Sequence, residues 1–234
     1  EGAPAYADMS VIASLRFIGQ VRGFSGQELE ARIEQVVKKV ALEPVLNKKV
    51  ENLSKGYCRR LGIAQALIHD PKVLILDEPT DGLDPNQKHQ VRQLIQDLSE
   101  DKTVIVSTHI LEEVSAVCTR AMILAHGKIV FDGTPEDLAA QSERHNAVTI
   151  RLARPDDALN ARLSALPEVR NEDDGSLTVF PLNGQPILAA VNTILHDENC
   201  QLEELHVEMG QLDDVFRKVT LNADSAQGQV GASL

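Results

Sequence analysis

Hydrophobic positions recur at helical spacing through the first seventy residues, which gathers them on single helix faces. Ser10 precedes a segment with Val11, Leu15, Ile18 and Val21 on one face, and Arg22-Gly23 closes it. Ser25-Gly-Gln-Glu28 has the spacing of a capping box, and Leu29, Ile33, Val36 and Val40 follow. A polar stretch from Asn47 to Asn52 leads into Leu53-Ser54-Lys55-Gly56-Tyr57. Tyr57, Leu61, Ala64 and Ile68 then mark a third face, stopped at Asp70-Pro71.

Beyond Pro71 the pattern changes. Val73-Leu-Ile-Leu76-Asp77 and Thr103-Val-Ile-Val-Ser107 are short, continuously apolar runs, as expected of parallel strands buried on both faces. Asp84-Pro85 between them is a helix start, and Val91, Leu94, Ile95 and Leu98 supply that helix's apolar face. A shorter helix carrying Ile110, Val114 and Val117 follows the second strand. Ala121–Ala125, a His-Gly-Lys turn and Ile129–Phe131 read as a hairpin. Strand alternating with helix predicts an α/β sheet with right-handed crossovers. After it, strands at Val148–Leu152, on both sides of the Asp173-Asp-Gly175 turn and at Leu202–Val207 enclose helices at Asp156–Leu166 and Ile187–Leu195. That β-α-β-β-α-β order predicts a small α+β ferredoxin-like domain at 146–221, and the polar residues 222–234 are expected to be a flexible tail.

Composition narrows the classes. Among 234 residues, 43% are apolar and 25% charged, which fits a globular chain and not a disordered one. The net charge of −12 argues against a nucleic-acid partner, whose phosphates require clustered Lys and Arg. Cys58, Cys118 and Cys200 are widely spaced and odd in number, which is neither a disulfide framework nor a zinc pattern and fits a reducing cytosol. No apolar run reaches the ~18 residues a membrane span needs. The chain opens Glu1-Gly-Ala-Pro-Ala-Tyr with no Met before Met9, and is expected to be a piece of a longer one.

Candidate chemistry concentrates between Leu53 and His109. A buried strand ending in Asp77-Glu78 suits a Mg²⁺–nucleotide site, the first carboxylate holding the metal or its waters and the second orienting a water for attack on phosphate. Ser54-Lys55-Gly56 stands at a helix start, where backbone N–H groups and a hydroxyl can receive phosphate. Ser107-Thr108-His109 ends the next strand and puts an imidazole on the sheet edge where α/β ligands bind. Each has a plainer reading when taken singly. The acidic pair closes a strand, Ser54 is a helix cap worth about 1 kcal/mol, and His109 is a surface histidine.

Together these residues resemble the ATP-binding-cassette (ABC) ATPase family over about residues 1 to 140. Leu53-Ser-Lys-Gly-Tyr57 resembles the signature motif, Val73-Leu-Ile-Leu-Asp77-Glu78 the Walker B strand with its catalytic Glu, and Asp81-Gly-Leu-Asp84 the D-loop. His109 resembles the switch histidine. Tyr6-Ala-Asp8-Met-Ser10-Val11 is similar to a stretch that follows the Q-loop, which aligns Glu1 with the Q-loop Gln. The resemblance implies that Glu78 and His109 are catalytic and that Asp77 and Glu1 face Mg²⁺. It further implies that Ser54, Lys55, Gly56 and Asp84 contact ATP across a homodimer. Residues 1–145 would then be part of an ABC ATPase domain, with a helical subdomain at about 8–70 and a core at about 71–142.

Two departures stand out. Lys55 and Tyr57 interrupt the signature's usual Gly-Gln pair, and no Gly-x-x-x-x-Gly-Lys-[Ser/Thr] occurs anywhere. His126-Gly127-Lys128 is a hairpin turn and cannot be that loop. Truncation upstream of the Q-loop is the expected explanation, and the chain alone is expected to be inactive. The extra domain, with its Leu212-Asp-Asp-Val-Phe216 segment, is similar to tails of bacterial exporter ATPases, including gliding-motility-type proteins, that work with separately encoded permeases. The implied protein is cytoplasmic, peripheral on the inner face of the cell membrane, and partnered by integral membrane permease subunits. The alternatives are a cytosolic ABC protein without a permease and a non-catalytic regulatory or interaction module.

Overall fold

Three α-helices open the described residues. In the computed structural model, which describes residues 5–152, 159, 162–163, 166, 168–172, 174–181, 185–197 and 202–218, the chain divides into two units, Glu1–Val117 and Cys118–Leu234. In the first, helix α1 (Val11–Val21) starts at Ser10, whose hydroxyl accepts the Ala13 N–H. Helix α2 (Gly26–Lys39) presents Leu29, Ile33, Val36 and Val37 inward. It packs so closely on α1 that a Cβ at Gly19 would stand 2.2 Å from Leu29 Cδ1. Helix α3 (Lys55–Leu67) joins both, and a buried Gln65–Ser14 hydrogen bond of 2.9 Å ties it to α1.

Two expectations fail here. Val21 is 69% exposed, because it is the last residue of α1 and lies beyond the reach of α2 and α3. Ser25 caps α2 only by position, with no side-chain hydrogen bond. Gly26, at φ +58°, breaks the helical geometry that a capping box needs, and Glu28 is engaged by Arg32 at 3.1 Å instead.

Strand β1 (Val73–Asp77) pairs in parallel with β2 (Thr103–Ser107), Val73 opposite Thr103 and Asp77 opposite Ser107. Helix α4 (Pro85–Ser99) connects them, started by Asp84 with Pro85 at its first position, and α5 (Leu111–Val117) follows β2. Leu74 and Leu76 of β1 join the core that Leu61, Ala64, Val91, Leu94 and Leu98 also form. The expectation of strands buried on both faces is corrected. Val73, Ile75 and Ile105 are 51%, 71% and 47% exposed. Among the described residues of this unit, α3 and α4 pack against the sheet from the side of Leu74 and Leu76, and the alternating residues point away.

The second unit begins with a hairpin, β3 (Ala121–Ala125) and β4 (Lys128–Gly133), turned by His126 and Gly127 at φ +50° and +72°. Both positive φ values are those of a two-residue hairpin turn. Helix α6 (Pro135–Ala139) is missing from the sequence reading although Thr134 and Asp137 form a complete capping box around Pro135. An antiparallel sheet follows in the order β6-β7-β5-β8, built from β5 (Val148–Leu152), β6 (Glu168–Asn171), β7 (Leu177–Phe180) and β8 (Leu202–Val207). Helix α7 (Leu188–Asp197) precedes β8. Val148, Ile150, Leu159, Leu163, Val179 and Val191 form its core. Most of the predicted 156–166 helix, Asp173, Cys200 and the 222–234 tail lie outside the described residues.

Candidate functional site at the carboxyl ends of the parallel strands

Parallel pairing in this register brings the last residues of β1 and β2 side by side. Asp77 closes β1 and accepts a hydrogen bond from the Ser107 hydroxyl opposite it. The ladder runs one residue further, since the Glu78 N–H donates to the Ser107 carbonyl at 3.0 Å. At Glu78 the backbone turns to φ +44°, a left-handed conformation that a residue with a Cβ adopts only under constraint. That turn carries the chain away from the strand direction and into the Pro79-Thr80-Asp81 loop.

Glu78 and His109 meet. His109 Nδ1 lies 2.8 Å from Glu78 Oε1, with side-chain exposures of 69% for the imidazole and 26% for the carboxylate. The hydrogen bond to Glu78, then its negative charge, raise the His109 pKa above its ordinary value near 6.5. Glu78 Oε2 is buried and has no hydrogen-bond partner among the described residues. A buried acceptor without a protein donor is costly unless something else donates to it.

The signature and D-loop residues form a second cluster. Ser54 caps α3 by accepting the Tyr57 N–H at 3.4 Å, and Asp84 caps α4 by accepting the Gln87 N–H at 2.9 Å. Gly56 is buried against α4, where a Cβ would stand 2.8 Å from Gln87 Cδ. A side chain at Gly82, whose φ is +68°, would meet Lys55 Nζ at 3.2 Å, so Lys55 lies over the D-loop. Arg60 completes the α3–α4 contact by donating to Gln90. Among the described residues no hydrogen bond joins Ser54 or Asp84 to Glu78 or His109. Glu1 lies outside the described residues.

Sequence reasoning passed over three residues beneath the Glu78–His109 pair. Thr80 and Glu113 are each 1% exposed. Thr80 Oγ1 donates to Glu113, and Thr108 Oγ1 donates to Glu113 Oε2 at 3.2 Å. Nothing in the local sequence marks Glu113, because a carboxylate in the first turn of a helix usually faces water and complements the helix dipole.

A helical bundle leading into parallel strands, with acidic and imidazole groups at their carboxyl ends, is the layout of an α/β ligand-binding protein. Residues 7–81 match the family described as ABC transporter. The Nod factor export ATP-binding protein I of Cupriavidus pinatubonensis is 34% identical over 214 residues, covering 91% of this chain and 64% of that protein. Its namesake in Cupriavidus metallidurans is 32% identical, with 91% and 68% covered. Among solved structures, CbiO1 from Clostridium perfringens, part of the ABC transporter complex CbiONQ, superposes with a TM-score of 0.54 at 30% identity, covering 59% of this chain and 55% of that one. The chain belongs to the ABC transporter ATP-binding family. It spans less than two thirds of the length of the first of these relatives.

Proposed function

We propose that this chain supplies the catalytic end of an ATP-hydrolysing subunit that drives a separately encoded membrane permease in a bacterial exporter. The observation that carries this reading is the Glu78–His109 contact of 2.8 Å at the ends of paired parallel strands. Glu78 Oε1 is held by His109, and Oε2 is left to accept a hydrogen bond from an attacking water. His109 uses Nδ1 on Glu78, which leaves Nε2 to contact the γ-phosphate.

The donor set fits Mg²⁺. Asp77 is exposed at the strand end, oriented by the Ser107 hydroxyl, and one carboxylate suffices for an ion that draws its other ligands from phosphates and water. Asp77 would hold the ion, whose positive charge would offset negative charge that develops on phosphate during transfer. Ser54 accepts from its own helix and keeps its hydroxyl proton to donate, so capping is compatible with a phosphate contact. In this reading Ser54, Lys55, Gly56 and Asp84 serve the ATP held by the other subunit of a homodimer. The 234 residues contain no Gly-x-x-x-x-Gly-Lys-[Ser/Thr], so on their own they neither bind ATP tightly nor hydrolyse it.

The permease and the direction of transport draw support from two sides. The relatives named for Nod factor export, and CbiO1, which is part of an ABC transporter complex, align with this chain. A groove of about 870 Å³ on the helical subdomain, lined by Ile12, Arg16, Leu29, Ile33 and Val37, offers an apolar floor with a charged rim for a permease segment. In this reading the subunit acts from the cytoplasmic face through its permease; no helix among the described residues is long and apolar enough to cross a membrane. We place the boundary of the accessory domain at 145/146. The sheet order β6-β7-β5-β8 with α7 before its last strand supports a ferredoxin-like arrangement.

The test is Glu78→Gln in the natural protein that contains this chain. ATP binding should persist while turnover falls by at least two orders of magnitude, a loss typical of removing a positioned base. Wild-type turnover would overturn the assignment.

A further inference from the structure

We infer that Glu113 is a positioning residue for the proposed ATPase pair: its buried carboxylate ties together the two loops that carry Glu78 and His109. Thr80 lies two residues after Glu78 and donates to Glu113 Oε1. Thr108 immediately precedes His109 and donates to Oε2. The same Thr108 oxygen accepts the Ile110 N–H at 3.0 Å, which fixes the loop between β2 and α5. On the far side Arg92 Nη2 of α4 stands 3.7 Å from Glu113 Oε1 and balances part of its charge. One carboxylate thus contacts the loop after β1, the loop after β2 and the helix between the strands.

A carboxylate at 1% exposure is expensive unless its oxygens are hydrogen-bonded and its charge is met, and here both oxygens are used. The two loops need such a tie. Glu78 holds a left-handed backbone conformation, and the His109 side chain is 69% exposed. The β1–β2 ladder fixes the strands only as far as the Glu78 N–H. Beyond that point, the spacing between Glu78 and His109 is set by what each loop is anchored to, and Glu113 is the shared anchor. Its charge also adds to the field that favours the protonated His109 imidazole.

This inference rests on the reading of Glu78 and His109 as the ATPase pair, and the experiment separates the two. In the natural protein that contains this chain, Glu113→Ala should lower kcat about 10- to 100-fold, the cost of misplacing reacting groups by about an ångström. KM for MgATP should stay within about three-fold, because Glu113 touches none of the proposed phosphate-binding residues. Glu113→Gln keeps the shape and one acceptor, and its amide N–H can donate to the other threonine oxygen, so it should restore much of the rate. Glu112→Ala on the same helix should change nothing. In ¹H–¹⁵N spectra the amides of both Glu78 and His109 should shift in Glu113→Ala and stay in place in Glu112→Ala. If Glu113→Ala does not fold, Thr80→Val and Thr108→Val each cut one tie, and their effects on kcat should be less than additive in the double variant. Wild-type turnover in Glu113→Ala beside an inactive Glu78→Gln would overturn the positioning role and leave the ATPase reading standing. Full turnover in Glu78→Gln would remove the ATPase reading, and unmoved amides in Glu113→Ala would then overturn the tie itself.

Discussion

At φ +44° the Glu78 backbone carries a cost of about 1–3 kcal/mol for a non-glycine residue. Its carboxylate is thereby aimed at His109 rather than along the strand. The contact leaves a titration signature of definite sign. The His109 pKa is raised, first by the hydrogen bond to Glu78 and then by its charge, with Asp81 and Glu113 adding to the field. Stability from this contact is therefore full below the ordinary value near 6.5 and is lost as pH rises through the raised one. Glu78→Gln removes the two largest causes, so the His109 imidazole should titrate at lower pH in that variant. An NMR titration in which His109 does not move would refute the contact. Ser54 offers a second discrimination at this scale. As a cap alone, Ser54→Ala costs about 1 kcal/mol of stability and leaves turnover nearly intact. As a phosphate ligand in trans it costs most of the turnover in the natural protein, and steady-state kinetics beside a thermal melt separates the outcomes.

Among the elements, the α3–α4 contact depends on the absence of a side chain. Gly56 lies 2.8 Å from Gln87 by the position its Cβ would take, and α4 is fixed at its start by Asp84 and Pro85. Gly56→Ala should lower the thermal midpoint and disturb the signature helix, and Gln87→Ala in the same chain should recover much of the loss. A Gly56→Ala protein that melts with the wild type would show that the two helices can separate without penalty. The helices and strands themselves were legible in the sequence wherever periodicity ran long or a cap stood at the start, as at Ser10, Ser54 and Asp84. The exposed face of β1 was not legible, because continuous apolar runs such as Val73–Leu76 do not state how many of their faces a given chain covers. Helix α6 escaped because it is only one turn long, too short for a hydrophobic period, although Thr134-Pro135 was its start signal. In the site, Asp77, Glu78 and His109 could be read from strand-end positions. Thr80, Thr108 and Glu113 could not, since their meeting depends on three loops and helices folding onto one another.

For the whole molecule, the two units make separate predictions. Every residue proposed to touch nucleotide lies at or before His109, within Glu1–Val117. Deleting residues 146–221 from the natural protein should leave basal ATP hydrolysis measurable while weakening dimerisation or coupling to the permease. Complete loss of hydrolysis in a truncated protein that still binds ATP would place a catalytic residue in the second unit. The 234-residue chain alone should show no ATP affinity in the micromolar range by calorimetry, and micromolar binding would mean that the phosphates are held by residues other than a Gly-rich loop.

The exposed side of β1 and β2 has a practical bearing on the purified polypeptide. Ile75 and Val73 lie more than half exposed beside Ile105, on a sheet whose outer edges have no partner strand among the described residues. Unpaired backbone edges next to an apolar surface are templates for association between molecules. Concentrated solutions of this polypeptide should therefore scatter light and cloud on warming well before the core melts, despite a net charge of −12 that opposes self-association. Ile75→Lys would place a charge in the middle of that surface, and it should delay the clouding without shifting the cooperative unfolding transition.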